Sequence, residues 1–433
     1  RCLVGSEMCI RDRFKSQPLN TKVLLATAAI YAFVLPVIEI FQAAYIMGQS
    51  ADMARVVLYQ LMVYTGVPIT FIFNGFLLRK IAPGWLYSFG MLLGGISMLY
   101  MTSLPELTTG GIGIAGLIMG LSFGFFWANR DYLVLVSTTD GNRNYYYGTE
   151  AFFNTFAGVV MPIIISTIIV YITHKYVGLS NVRSFAYQVI SYFIIGLTII
   201  ASVLILTKGK YEKPDSPRFL YFKFDNLWNR MLLMAVLKGL VQGFIVTAPS
   251  ILIFKFIGEE GALGPIQSVC ALVTAFLMYI IGRNAKPEQR LHILFISLAL
   301  FIIGAVTNSL LFNTLSVVIF LLCLVVARPM FDIAYFPIQL RVIDFVSGIE
   351  KRNEYTYICN HEWGLYAGRL IGCGLFILIA KFISEDAALK ITLPLVTILQ
   401  GVSYFVARNL LTRMEKKEKE SICDKTMCNV VVV

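Results

Sequence analysis

Charged side chains occur in this sequence inside segments that are otherwise apolar enough to cross a lipid bilayer. A charge at the bilayer centre costs about 3 kcal/mol or more, so such residues normally face a protein interior or a watery cavity. A buried carboxylate can exchange a proton, and a buried guanidinium or ammonium can bind an anion. The residues that could do this chemistry are Glu39, Arg130, Asp131, Glu150, Lys238, Arg328, Asp332, Glu362 and Arg369.

Three of these cations lie near the middle of their apolar segments, where a solute could bind. Lys238, Arg328 and Arg369 belong to the seventh, tenth and eleventh segments, with Gln242 and Tyr366 at similar depth. Solute sites of membrane transporters lie near the bilayer midplane. Arginine also offers a two-pronged donor that fits a carboxylate or phosphate. We therefore predict a substrate-binding set of Lys238, Gln242, Arg328, Tyr366 and Arg369.

Three carboxylates are candidates for a coupling group that binds and releases a proton. Glu39 has no basic residue in its own segment, so desolvation should favour its protonated form. Asp332 and Glu150 are the other candidates, although Asp332 could instead simply neutralise Arg328, four residues before it on the same helix. Because Asp332 and Glu362 can offset only two of the three mid-depth cations, the residual positive charge favours an anionic solute.

Another group of charges lies at the end of the apolar segments that should face the cytoplasm. Arg130 and Asp131 belong to the inner third of the fourth segment. They are predicted either to gate the pathway or to mark the helix end, with Arg130 reaching the lipid headgroups. The loops before the fifth and eleventh segments carry further charges, which we expect to form salt bridges between the two halves of the chain at an inner gate: Asp140, Arg143, Glu350 and Arg352.

The sequence offers little for enzyme chemistry or metal binding. Cys270, Cys323, Cys359 and Cys373 are scattered over separate apolar segments without a CxxC spacing, so neither a disulfide framework nor a metal site is predicted. No second histidine follows His361 at the spacing of a zinc motif. We therefore expect no catalytic residues, no metal and no cofactor, and a protein that is not an enzyme.

Twelve apolar segments follow one another along the chain, most of them near the roughly 20 residues that a membrane-spanning helix needs. The third, sixth and twelfth contain no Asp, Glu, Lys or Arg, whereas the first, fourth, seventh and tenth all carry charge. This period of three separates outer helices from inner ones. The segments are residues 23–47, 56–78, 86–104, 111–136, 146–172, 186–207, 231–254, 263–282, 291–312, 315–340, 354–379 and 391–407.

Composition and charge distribution agree with a membrane protein. The chain is 58% hydrophobic and 14% charged, with a mean hydropathy of +0.74, which is unlike a soluble domain. Its net charge of +11 comes from Lys and Arg concentrated in alternate loops and in both tails. By the positive-inside rule, those loops and both termini are cytoplasmic. The basic excess thus predicts topology, and we expect no nucleic-acid partner.

The sequence divides into two similar halves. The polar stretch 208–230 separates six apolar segments from six others. Residues 140–158 also align with residues 350–368, with Tyr145 over Tyr355, which indicates an internal repeat. We predict a cytoplasmic N-terminal tail over 1–22, a six-helix bundle over 23–207, a linker over 208–230, a second bundle over 231–408 and a basic tail over 409–433. Residues 1–14 and 422–433 resemble artefactual sequence, so no functional role is expected of them.

Two times six helices, a cytoplasmic linker and charge-free third helices resemble the major facilitator superfamily. The family's signature loop is matched in part by Gly75–Lys80, in which Leu78 stands where an acidic residue is expected, and Gly282–Lys286 is similarly degenerate. The resemblance implies an all-α polytopic fold of twelve transmembrane helices in two six-helix bundles with pseudo-two-fold symmetry. It also implies that the first, fourth, seventh and tenth helices line a central cavity.

The function implied by this resemblance is secondary active transport of a small polar, or anionic, solute. Coupling to protons or sodium, a location in the bacterial inner membrane with the lipid bilayer as surroundings, and a monomeric state are expected. Three alternatives remain open: a lipid translocator, an intramembrane enzyme, and a drug exporter with the same fold.

Overall fold

The computed structural model describes residues 14–50, 52–138, 140–176, 182–212, 220–258, 260–284 and 287–430, and helices account for most of them. The helices are α1 (Leu19–Gln49), α2 (Met53–Leu77), α3 (Pro83–Ser103), α4 (Thr109–Ser137), α5 (Asp140–Lys175), α6 (Val182–Lys208), α7 (Asn226–Phe256), α8 (Glu260–Asn284), α9 (Arg290–Leu311), α10 (Thr314–Glu350), α11 (Glu354–Phe382) and α12 (Glu385–Val430).

Ten of the helices in the described residues are long and apolar enough to cross a membrane. Helix α3 has 21 residues but is less apolar, and α8 contains a shorter apolar stretch, Leu263–Leu277. The charge-free segments 186–207 and 391–407 also present exposed apolar side chains, such as Phe193 and Ile200 on α6 and Phe405 on α12. Exposed apolar faces of this extent suit contact with lipid. The chain is therefore a multi-pass membrane protein.

Local sequence explains where several helices begin and end. The side chain of Asp225 accepts a hydrogen bond from the backbone N–H of Leu227 at 2.8 Å and so caps α7. Asn313 and Ser316 form a reciprocal capping box at the start of α10, which satisfies backbone donors that have no partner within the helix. At its other end, α10 stops at Lys351, whose φ of 49° is left-handed.

Helices α1 and α7 are both interrupted next to a proline. Helical geometry in α1 breaks after Ala32 and resumes with a π-helical turn, Val37–Phe41, directly after Pro36. In α7 the first part ends at Ile245, and the second begins at Ala248, beside Pro249. Proline lacks the N–H that would continue the helix. The two prolines lie 213 residues apart, so the interruption repeats in both halves of the chain.

The chain forms two compact units. The first comprises Arg1–Ser216 with Ser250–Leu272, and the second Pro217–Pro249 with Val273–Val433. Within the first unit, α1 packs on α5 and α6, and α3 packs on α4 and α6. Within the second, α7 packs on α11 and α12, and α9 packs on α10 and α12. These are equivalent pairs in the two halves, as the sequence repeat predicts.

Candidate functional site

Lys238 of α7 forms an ion pair with Asp332 of α10. Its ammonium lies 3.2 Å from a carboxylate oxygen of Asp332. The Lys238 side chain is 10% exposed, whereas that of Asp332 is 31% exposed. The cation is therefore buried within the second unit, and the carboxylate is the more accessible partner.

Aromatic rings complete the surroundings of the Lys238 ammonium. Its nitrogen lies 4.2 Å from the ring centroid of Tyr335, 3.9 Å from that of Phe336 and 5.7 Å from that of Phe331. Ring faces attract a cation within about 6 Å. The hydroxyl of buried Tyr335 is also hydrogen-bonded to Nε2 of buried His361, on α11, at 2.7 Å. The pair and its rings thus connect three helices.

Arg369 of α11 binds back to α7. Its Nη2 and Nε donate to the amide oxygen of Gln242 at 2.9 and 3.3 Å. A looser contact, 3.5 Å, joins Arg369 to the carboxylate of Glu362 on its own helix. Gln242 stands one turn after Lys238, so one face of α7 contacts both an α10 acid and an α11 cation. Gln242 and Arg369 were predicted from sequence as site residues, and they are brought together.

Close packing of α7 on α11 sets this geometry. A Cβ added to Gly243 would lie 2.9 Å from the carbonyl oxygen of Arg369, and a Cβ on Gly368 would overlap the carbonyl oxygen of Val236. The Cys373 thiol donates to the carbonyl oxygen of Gly243 at 2.9 Å. Small residues let helix backbones approach closely in membranes, and here they hold Gln242 against Arg369.

Two cations and two carboxylates make up this cluster, so its formal charges balance. Lys238, Arg369, Asp332 and Glu362 lie within electrostatic range of one another. Both carboxylates are more exposed than both cations, with Glu362 at 21% and Arg369 at 8%. A solute or a proton can therefore reach the two carboxylates. If a carboxylate no longer paired with its cation, the buried cation would be ready to bind an anion.

Two of the predicted substrate-binding residues are placed differently from this cluster. Arg328 has an exposed side chain, and Asp332 pairs with Lys238 rather than with Arg328. The ion pair of Asp332 with Lys238 was not predicted, and the binding roles of Arg328 and Tyr366 stay predictions. Tyr366 is half-buried, and its ring centroid lies 5.9 Å from that of Trp363.

A second charged cluster lies in the first unit, between α4 and α5. Arg130 donates from Nε to Glu150 at 3.0 Å, makes a second bond to the same carboxylate through Nη2, and contacts Asp131 at 2.6 Å. Arg130 and Glu150 are 12% and 10% exposed, and Asp131 is 55% exposed. Trp127 lies 5.8 Å from the guanidinium. Arg130 is thus held in a buried, two-pronged ion pair instead of extending to the headgroups.

Glu39 lies in the π-helical turn of α1. Its side chain is exposed and is within electrostatic range of the Tyr31 hydroxyl. Short π-helical stretches inside α-helices are frequent at functional sites. The position fits an accessible carboxylate, and its role in coupling stays a prediction.

The predicted gate residues Glu350 and Arg352 hold the end of the linker. Glu350 accepts a hydrogen bond from the backbone N–H of Asp225 at 2.8 Å and a bond from the Tyr357 hydroxyl, and it pairs with Arg352 at 3.2 Å. Arg352 also donates to the carbonyl oxygen of Lys223 at 2.6 Å. These contacts all lie within the second unit and fasten the start of α7 to the α10–α11 turn.

The side chains of the other predicted gate residues, Asp140 and Arg143, lie outside the described residues. The proposed salt bridges between halves therefore stay a prediction. The other end of the linker contacts the start of α1, where Asn20 accepts a bond from the N–H of Lys210 at 3.0 Å. The Tyr211 hydroxyl donates to the carbonyl oxygen of Asn20 at 3.0 Å, and burial raises the pKa of this hydroxyl.

Tyr335, Phe336 and His361 are site residues that the sequence reasoning missed. The signal for the aromatic residues was their position three and four residues after Asp332, on the same face of α10. His361 was weighed only as a zinc ligand. Among the described residues, no group of three or more His, Cys, Asp and Glu side chains could hold a metal ion.

The chain is similar to two bacterial proteins. It is 23% identical over 405 residues to the uncharacterized protein YqgE of Bacillus subtilis (strain 168), covering 92% of this chain and 91% of that protein. It is 27% identical over 166 residues to an uncharacterized protein in the sodM 3' region of Geobacillus stearothermophilus, covering 37% of this chain and 72% of the relative. No family model matches the sequence.

Solved transporter structures share the arrangement of the helices. The nucleoside transporter NupG superimposes with a TM-score of 0.65 at 10% identity, over 90% of this chain and 99% of the other. A bacterial homologue of the human drug peptide transporters PepT1 and PepT2 gives 0.68 at 11% identity, over 92% and 99%. The chain has the fold of these transporters. Both neighbours are of the major facilitator type.

Proposed function

We propose that this protein is a secondary active transporter of a small polar solute, preferentially an anionic one, which works by alternating access. The observation that carries the proposal is the cluster of Lys238, Asp332, Arg369 and Glu362 on helices that cross the membrane. Placing four charges on membrane-spanning helices is costly, and residues of this kind mark solute and ion pathways. The proteins with a similar fold are named for carrying nucleosides and peptides, which are also polar.

Ion pairs of this kind couple proton binding to solute binding. A proton on Asp332 would neutralise it and leave the Lys238 ammonium without its anionic partner. The buried cation would then favour an anionic group of the solute. The sequence suggested an anion preference because cations outnumbered acids, but the cluster has equal numbers of both. The anion preference is therefore supported by this exchange of partners at Lys238. Sodium is the alternative coupling ion, and Glu39 and Glu150 are further coupling candidates.

The topology proposed with this function has twelve transmembrane helices in two six-helix bundles, over 23–207 and 231–408. The 208–230 linker and both termini are cytoplasmic, in a bacterial inner membrane, with a monomer as the working unit. The repeated helix pairs and the matched interruptions of α1 and α7 support this layout. Asp140, Arg143, Glu350 and Arg352 would then lie at the cytoplasmic gate.

Proteoliposomes with an imposed gradient test the function directly. The purified protein is reconstituted, and uptake of labelled uridine, an alanine dipeptide, L-glutamate, L-lactate and glucose is measured with a proton gradient, a sodium gradient or neither. Gradient-dependent uptake of at least one polar solute is expected. The absence of uptake for the whole panel, with activity instead on fluorescent lipids, would favour a lipid translocator.

Variants of the cluster then test the site. Arg369→Gln or Lys238→Gln should raise the Michaelis constant for an anionic solute about tenfold or more, since loss of a charged partner costs about 1.5–3 kcal/mol. Lys381→Gln, at the exposed end of α11, is the matched control and should leave uptake unchanged. A solute that proves neutral or cationic, with uptake indifferent to both cluster variants, would overturn the anion proposal.

A further inference from the structure

The surroundings of Lys238 contain more than its carboxylate partner. An ammonium has three donors, and one of them reaches Asp332 at 3.2 Å. The rings of Tyr335 and Phe336 lie about as close, at 4.2 and 3.9 Å to their centroids. Both aromatic residues lie on α10, in the turn that follows Asp332. The same turn therefore supplies the negative partner of the cation and the ring faces that surround it.

We propose that Tyr335, Phe336 and His361 are positioning residues that hold the Lys238 ammonium against Asp332 and so set how strongly this pair responds to protonation. We call the rings of Tyr335 and Phe336 the aromatic cage of Lys238. Because the cage is assigned to the regulation of the Lys238–Asp332 pair as a coupling pair, the proposal rests on the proposed function. Ring faces favour an ammonium through their quadrupole. They keep the buried Lys238 ammonium near Asp332, with the fully buried Tyr335 as the inner wall.

His361 fixes the ring that forms the inner wall of the cage. Its Nε2 and the Tyr335 hydroxyl are 2.7 Å apart, and both residues are buried. Tyr335 also stacks on Phe331, with ring centroids 5.4 Å apart and an angle of 20° between the planes. The ring can therefore turn away from Lys238 only by losing a buried hydrogen bond. His361 directly precedes Glu362, so one turn of α11 supports both ion pairs.

The charged and titratable groups near Lys238 come from two neighbouring helices. Asp332 and the Tyr335 hydroxyl belong to α10, and Glu362, Arg369 and His361 belong to α11. Of the two aromatic walls, Phe336 is 46% exposed. It can therefore be replaced with little risk to folding, and it is the residue on which the test depends.

The test measures the thermal midpoint Tm of the purified full-length protein in detergent at pH 7 and at pH 3, because aspartate carboxyls ordinarily take up a proton only at about pH 3.9, and an ammonium partner favours the charged form. Protonation of Asp332 removes the partner of a buried ammonium, so acid should lower Tm. The part of this acid-induced fall in Tm that is absent in Lys238→Met is the part caused by the Lys238–Asp332 pair. Phe336→Leu and Tyr335→Leu should each remove at least half of that part. Tyr335→Phe, which keeps the ring but removes its hydrogen bond to His361, should retain more of it than Tyr335→Leu and less than the wild type.

Double variants separate positioning from general packing. Combined with Lys238→Met, neither Phe336→Leu nor Tyr335→Leu should change the acid-induced loss further. Phe405→Leu, an exposed aromatic residue of α12, is the control and should behave as wild type. The proposal is overturned if the cage variants lower Tm equally at both pH values, if they act fully in the Lys238→Met background, or if Lys238→Met itself leaves the acid response unchanged.

These outcomes can be told apart from failure of the transport proposal. The Tm measurement needs no solute and reads only the Lys238–Asp332 pair and its cage. If Lys238→Gln transports normally, the site of the proposed function is wrong even where the cage results hold. If transport requires Lys238 but the cage variants leave the acid response intact, the positioning role is wrong and the transport proposal stands.

Discussion

Replacing Gly243 by alanine should disturb the contact between α7 and α11 by an amount that the structure fixes. The added Cβ would lie 2.9 Å from the carbonyl oxygen and 3.0 Å from the Cα atom of Arg369. Unstrained carbon–carbon contacts are about 3.5–4.0 Å, so the two helices must separate locally by roughly 0.5 Å. The bonds from Arg369 to Gln242, now 2.9 and 3.3 Å, would lengthen to roughly 3.4 and 3.8 Å, beyond the range of good hydrogen bonds.

The expected loss of stability follows from this overpacking. Forcing an extra carbon into a close-packed contact costs about 1–3 kcal/mol. For a unit of roughly 200 residues this lowers Tm by about 2–12 °C. Thermal unfolding of the purified protein in detergent, followed by tryptophan fluorescence, measures the shift. The Michaelis constant for an anionic solute should also rise, because Arg369 loses the partner that orients it.

Gly374 provides the matched control on α11. Within the described part of the chain, a Cβ on Gly374 would meet no heavy atom within 4 Å. Gly374→Ala should therefore be neutral or stabilise the helix by up to about 1 kcal/mol. If Gly243→Ala and Gly374→Ala unfold at the same temperature, the close α7–α11 contact does not exist, and the placement of Arg369 against Gln242 is wrong.

Three further experiments test the charged residues. Glu150→Gln should destabilise the protein by about 3 kcal/mol, because it removes the buried carboxylate to which Arg130 is bound through two bonds; the double variant with Arg130→Gln should cost less than the sum of the single variants in the same thermal assay. Glu39→Gln should abolish gradient-driven accumulation and retain solute exchange, since only accumulation requires the proton site to empty; unchanged accumulation would exclude Glu39 as the coupling group. Asp332→Asn should lower Tm by several degrees because it removes the anionic partner of Lys238, whereas Arg328→Gln should change stability by less than about 0.5 kcal/mol; equal effects of the two would restore the intrahelical pair.

The positions of the helices could be predicted from sequence because charge is costly in a bilayer and a spanning helix needs a long apolar segment. Each predicted apolar segment falls in one helix, and the polar stretch 208–230 separates α6 from α7. The interruptions beside Pro36 and Pro249 were not predicted, because proline alone does not mark them. Pro68 and Pro162, for example, lie inside helices that continue through them.

The pairing of the charges could not be predicted, because it depends on which helices pack together. Arg328 and Asp332 stood at a spacing that allows an ion pair, but the basic residue precedes the acidic one, which is the weaker orientation on a helix. Lys238 reaches Asp332 only because α7 lies against α10, and glycines on α7 and α11 bring Gln242 to Arg369.

The two halves share their helix arrangement but differ in where their charged residues lie. Helices α1 and α7 are equivalent and share a proline interruption, yet α1 carries the acid Glu39 after the break, and α7 carries the cation Lys238 before it. In the first unit the buried ion pair joins α4 to α5 through Arg130, whereas in the second α10 and α11 both bind α7. Close helix contacts need glycines in both halves, such as Gly120 and Gly368, but no packing requirement places opposite charges on α1 and α7. The first unit offers an exposed acid on α1, and the second a buried cation on α7. Because an acid suits a coupling cation and a buried cation suits an anionic solute, we expect Glu39 and Lys238 to be the most informative residues to exchange for neutral ones.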